Sequence, residues 1–110
     1  MRFDVGTTNG SGSVYLTQPA SGETFSFIPP LNTWTHLAVV ATTGGTQLYV
    51  NGLLQQTLGP FSLGTDATAQ VTIGNTGDQY DPFAGRLDEL RLYNRALSPS
   101  EIQVDMNTPL

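Results

Sequence analysis

The feature that most constrains this chain is how often it is interrupted. Glycine, proline or asparagine breaks its apolar runs roughly every eight to twelve residues, the rhythm of short strands joined by tight turns. Runs this short leave little room for amphipathic helices, and the pattern reads as an all-β sandwich or barrel. Strands are expected over residues 2–5, 13–18, 24–28, 34–42, 47–50, 53–58, 69–73 and 85–93. In residues 24–28, Phe25 and Phe27 share one face, and Pro29-Pro30 then withholds the N–H groups that further ladder pairing would need. The strongest strand is 34–42, with Leu37, Val39 and Ala41 on one face and His36, Ala38 and Val40 on the other. Gly44-Gly45 turns the chain into the next strand. Asn51-Gly52 is the best hairpin signal, because both residues tolerate the positive φ of a type I′ turn.

One helical turn is expected near the C-terminus. Ser98-Pro99-Ser100-Glu101 puts serine at the N-cap, proline at the first helical position and glutamate at the third, a capping box. Ile102 and Met106, four apart, share the side that would pack on the sheets.

Composition removes several functions. The 110 residues suit a single domain. Only 12% are charged, lysine is absent, and the cations are Arg2, Arg86, Arg91 and Arg95 against nine acids, for a net charge of −5. Binding to a polyanion needs clustered cations to displace counterions, so no nucleic-acid partner is expected and anionic membrane surfaces are poor partners. The longest unbroken apolar run, residues 37–41, is far too short to insert across a membrane. Without cysteine there are no disulfides, thiolate metal sites or cysteine nucleophiles. Low charge, no lysine and fifteen threonines lean toward a secreted bacterial module.

Three segments carry a family resemblance: Trp34-Thr-His-Leu-Ala-Val-Val40, Leu48-Tyr-Val-Asn-Gly52 and the stretch FAGRLDELRLYNRALSPSE over residues 83–101. Together they resemble the laminin-G-like branch of the concanavalin-A-like lectin/glucanase domains. The resemblance covers residues 33–106 and implies a two-sheet antiparallel jelly-roll sandwich. It also implies a single domain over residues 1–110 without the family's N-terminal strands. In that family the first strand lies beside the last, so strand 85–93 is expected to lack a neighbour. Its open edge then implies a homodimer completed by strand pairing, or a trimmed domain.

Strand periodicity puts Asp88 on the same face as Leu90 and Leu92, which the leucines suggest is the core face. A carboxylate there needs N–H donors or a cation. The resemblance adds a structural calcium as the alternative, since calcium takes carboxylate and carbonyl oxygens. The loop Asn75-Thr-Gly-Asp-Gln-Tyr-Asp81 offers Asn75, Asp78, Tyr80 and Asp81, planar polar groups beside an aromatic face, the combination that binds sugars. Asp78 and Asp81 could instead chelate calcium, although their spacing lacks the regular alternation of an EF-hand loop, and an ordinary solvated connection is the alternative for each residue. Trp34 reads as a core or rim packing residue, His36 as a structural hydrogen-bonding residue, and Glu89 with Arg91 as an exposed ion pair of small worth.

Catalysis is not expected. A retaining glycosidase needs two carboxylates about 5–5.5 Å apart, and the resembling glucanases carry alternating acids on one strand. Here Asp88 and Glu89 are adjacent and point to opposite faces, and no Gly-x-Ser-x-Gly elbow occurs. The resemblance implies a non-catalytic, lectin-like module that binds a polysaccharide or glycan, within a larger secreted or cell-surface protein. The alternatives are a protein-interaction or adhesion module, or a structural spacer with no sugar ligand.

Overall fold

The computed structural model describes residues 2–5, 14–18, 21–60, 73–74 and 83–110. Among the described residues, six strands and one helix follow in chain order: β1 (Arg2–Val5), β2 (Val14–Gln18), β3 (Ser21–Thr24), β4 (Leu37–Thr42), β5 (Gly45–Val50), β6 (Leu53–Leu58) and α1 (Pro99–Met106). They make two three-stranded antiparallel sheets, β1-β2-β3 and β4-β5-β6. Both are simple meanders, in which each strand pairs with its neighbour in sequence.

The second sheet is built by its turns. Thr42 pairs with Gly45 across a two-residue turn, and the Thr42 hydroxyl accepts from Gly44 N–H at 3.2 Å while donating to the Gly45 carbonyl at 2.9 Å. A side chain at Gly45 is excluded, since a Cβ there would stand 2.7 Å from the Leu58 carbonyl oxygen of β6. At the other end Asn51 and Gly52 both take the expected left-handed φ, 50° and 78°. Asn51 also reaches back, its Oδ1 accepting His36 N–H at 3.0 Å and its own N–H donating to the His36 carbonyl at 2.9 Å. One residue thereby caps the turn and anchors the entry to β4.

The register β4–β5 aligns Leu37, Val39 and Ala41 with Val50, Leu48 and Thr46 on one face, and Ala38 and Val40 with Tyr49 and Gln47 on the other. On one face Leu48 and Phe25 are fully buried, with Phe27, Leu37, Val39, Val50 and Leu58 packed around them. On the other, Val40 and Tyr49 bury Ile102 of α1, with Ala38 and Leu97 alongside. The helix is two turns rather than one. The capping box forms as its sequence predicts: Ser98 Oγ accepts Glu101 N–H at 3.3 Å, and Glu101 Oε2 accepts Ser98 N–H at 2.7 Å.

Three expectations shift. Strand 24–28 ends at Thr24; Phe25 and Phe27 do share one side, but as a link that leaves the first sheet and packs on the second. There Ser26 N–H donates to Gln56 Oε1 of β6 at 2.8 Å. Strand 34–42 begins only at Leu37, because Trp34 to His36 have no neighbouring ladder and hold their place through Asn51. The strand expected over 85–93 is absent: these residues join neither sheet, and Glu89 adopts a left-handed φ of 53° that interrupts any extended run. A strand is held by hydrogen bonds to a neighbour, and this segment has none among the described residues. Strand 69–73 lies outside the described residues except for Ile73.

Candidate functional site

The four ligand-binding candidates, Asn75, Asp78, Tyr80 and Asp81, fall within residues 75–82 and so outside the described residues. What is described is how that loop is closed. Phe83 N–H donates to the Gly74 carbonyl at 2.8 Å, and Gly74 takes a φ of 79°. The two ends of the eight-residue excursion are thus tied together at its base. The Phe83 ring lies over Gly85, where a Cβ would stand 2.7 Å from Phe83 Cε1.

Asp88 is not on a core face. Leu90 and Leu92, its companions by strand periodicity, are 56% and 77% exposed, and Asp88 is exposed with them. Its Oδ1 accepts Glu89 N–H at 2.9 Å, a contact within the Asp88–Glu89 bend. Calcium takes six to eight oxygen ligands. Among the described residues, no three His, Asp or Glu side chains are grouped so that they could hold a metal ion.

Trp34 also departs from expectation. It is 66% exposed rather than packed. Its indole therefore offers a face to solvent beside the polar Asn32, Thr33 and Thr35.

A polar cluster gathers around Arg91, where the sequence predicts only an exposed ion pair. Arg91 is no free surface cation; its side chain is only 15% exposed. Nη1 meets Asp105 Oδ1 at 2.9 Å and the Asp105 carbonyl at 2.8 Å, while Nη2 reaches the Thr108 carbonyl and Glu89 Oε2 at 3.3 Å. Tyr93 donates to Asp105 Oδ2, and that hydrogen bond holds its phenol above the ordinary value. Glu89 Oε2 further accepts Leu110 N–H at 2.7 Å. The cluster pins residues 89–93 to α1 and the tail that follows it. Its only early signal is alternation, Arg91 and Tyr93 two apart, which does not reveal the partner fourteen residues away.

His36 stands near this cluster. Burial lowers its pKa, the Asp105 carboxylate works against that, and the Arg91 guanidinium adds to it. Its Nδ1 is buried and has no hydrogen-bond partner among the described residues. The hydrogen bonds of His36 among the described residues are those of its backbone with Asn51. A shallow groove beside α1, lined by Tyr93, Arg95, Leu97, Ser100, Glu101 and Asp105, is occupied by the Arg95–Glu101 ion pair at 2.7 and 3.1 Å.

No curated protein matches this chain significantly. Among solved structures, the S-layer domain-containing protein (residues 221–444) of Clostridium thermocellum ATCC 27405 is similar, with a TM-score of 0.62 and 23% identity. The match covers 88% of this chain and 52% of that one, so the chain spans about half the length of the structure it resembles. The laminin-G family model described as the concanavalin A-like lectin/glucanases superfamily matches residues 1–103, including the first three strands, which the sequence motifs alone had not captured. With nearly the whole chain matched and the β-rich architecture in agreement, this protein belongs to the concanavalin A-like lectin/glucanases superfamily.

Proposed function

We propose that the chain is a non-catalytic carbohydrate-binding module of a larger secreted or cell-surface protein. In this reading its two sheets belong to a jelly-roll sandwich. The observation that carries the proposal is the tie between Phe83 N–H and the Gly74 carbonyl. It gives a closed base to the one stretch that concentrates Asn75, Asp78, Tyr80 and Asp81, whose amide, carboxylates and ring suit sugar hydroxyls and C–H faces. Exposed Trp34 is a second aromatic surface of the kind that stacks on sugars. Family membership supports the reading, and the S-layer domain of the similar structure agrees with a cell-surface setting.

The ligand that fits best is uncharged. Residues 24–65 contain no Asp, Glu, Lys or Arg, and the chain as a whole is negative. An anionic glycan would meet net repulsion with few cations to offset it. A calcium ion, if one organises the loop, would draw on Asp78 and Asp81 together with Asp88, because Asp88 alone supplies too few oxygens.

Retention on neutral polysaccharides and a glycan array, each run with calcium and with EDTA, tests this reading. The expected result is weak, defined retention that Tyr80→Ala or Asp81→Ala removes while the melting temperature stays within about 3 °C, the shift that a cost under about 0.5 kcal/mol produces in a domain of this size. No retention by a folded chain in either condition overturns it and favours an adhesion or spacer role.

A further inference from the structure

The Asn51-Gly52 turn carries chemistry of its own. An asparagine followed by glycine is the pair most open to spontaneous deamidation, because no side chain shields the glycine nitrogen. That nitrogen attacks Asn51 Cγ, the Cγ–Nδ2 bond breaks, and ammonia leaves with the proton the nitrogen gives up. Water then opens the resulting five-membered imide at one of its two carbonyls. Opening at Cγ gives aspartate. Opening at the main-chain carbonyl gives β-linked aspartate, in which the backbone is longer by one methylene.

The folded geometry blocks the first step. Asn51 and Gly52 hold left-handed φ values of 50° and 78°. Ring closure needs rotation about the Asn51 Cα–C bond out of that left-handed well. Two bonds to His36 resist the rotation: Asn51 Oδ1 accepts His36 N–H at 3.0 Å, and Asn51 N–H donates to the His36 carbonyl at 2.9 Å. The following residue is held by α1. Gly52 is buried, its carbonyl accepts Gln103 Nε2 at 3.3 Å, and Gln103 and Met106 stand where a side chain on it would lie.

We propose that Asn51 is a modification site closed while the chain is folded and opened by unfolding, so that time spent unfolded is recorded as β-linked aspartate at this position. The two products differ in consequence. Aspartate keeps an oxygen as acceptor for His36 N–H and tolerates the left-handed conformation. β-Linked aspartate lengthens a two-residue turn whose register sets Val50 opposite Leu53, and a turn of this type has no place for the added methylene. It also moves the acceptor away from His36. A chain carrying it cannot rebuild the β5–β6 hairpin against which Gln103 of α1 is seated.

The test holds the chain at mildly alkaline pH, once folded and once in guanidinium chloride. Peptide mapping by mass spectrometry then assigns the change to Asn51 rather than to Asn9, which also precedes a glycine. Conversion at Asn51 should be at least about tenfold slower in the folded chain, because the turn must open before it reacts. After denaturant is removed, molecules with β-linked aspartate at residue 51 should fail to regain the melting transition, whereas a freshly prepared Asn51→Asp chain should regain it. Equal rates folded and unfolded overturn the proposal, as does a β-linked chain that refolds to the original transition. An Asn51→Asp chain that also fails to refold overturns it too, since the fault would then lie in the charge and not in the linkage.

Discussion

At the scale of single residues, the positions with the clearest consequences are those where the backbone does something only certain side chains allow. Gly52 combines a φ of 78° with close approach to α1: a Cβ there would meet Gln103 Cγ at 3.1 Å and Met106 Cε at 3.4 Å. Its carbonyl also accepts from Gln103 Nε2 at 3.3 Å. Gly52→Ala should therefore cost about 1–2 kcal/mol for the left-handed conformation alone, seen as a lower melting temperature, with helix docking weakened as well. Asn51-Gly52 was legible in the sequence because a type I′ turn is a local demand on two adjacent residues. Asp88 was not. Its side was inferred from alternation, and alternation assigns a core face only when a neighbouring strand keeps the chain extended; here Glu89 turns and the leucines beside it remain exposed. Trp34 was misread for a related reason, since nothing local reveals whether a tryptophan ahead of a strand finds a surface to cover it.

At the scale of elements, α1 was the most accurately foreseen. Its start is set by Ser98, Pro99 and Glu101, three residues that each answer a need of the helix end, and the observed bonds are the expected ones. What the sequence did not disclose is that Arg95 also clamps Glu101. The Arg95 guanidinium, together with Ser98 N–H and hydroxyl, holds the Glu101 carboxyl down from its ordinary 4.5 to about 2. The sign follows by linkage. A carboxyl with a lower pKa in the folded state than in the unfolded state contributes stability that is complete above about pH 4.5, and that is lost as the pH falls toward 2. Thermal melts between pH 6 and pH 2 should show the midpoint falling through that window, and Glu101→Gln should flatten this part of the profile while lowering the plateau. Equal slopes in the two proteins would mean that the carboxylate is not the group responsible. His36, whose pKa burial lowers, adds a separate decline beginning below about 6.5, so the two contributions are resolved by their ranges.

At the scale of the whole molecule, the β4-β5-β6 sheet is the centre, covered on one face by Phe25 and Phe27 and on the other by Ile102. Phe25 is the stitch that ties the exit of the first sheet to the second. Phe25→Ala should cost about 3–5 kcal/mol, a large share of the roughly 5–15 kcal/mol that holds a domain of this size. Denaturant unfolding should show the midpoint shifted well down. The transition should also broaden, as the first sheet exchanges its amides before β4-β5-β6 does; a sharp transition with uniform exchange would place the link elsewhere. The sequence by itself determined the strand-and-turn rhythm, the Asn51-Gly52 hairpin, the two faces of β4 and the cap of α1, because each depends on residues within a few positions of one another. The tertiary structure alone decided that Arg91 belongs to Asp105, that Trp34 stands in solvent and that residues 85–93 are not a strand. Those outcomes depend on which distant element, if any, arrives alongside, and a carboxylate fourteen residues away or a missing neighbouring strand leaves no mark on local spacing.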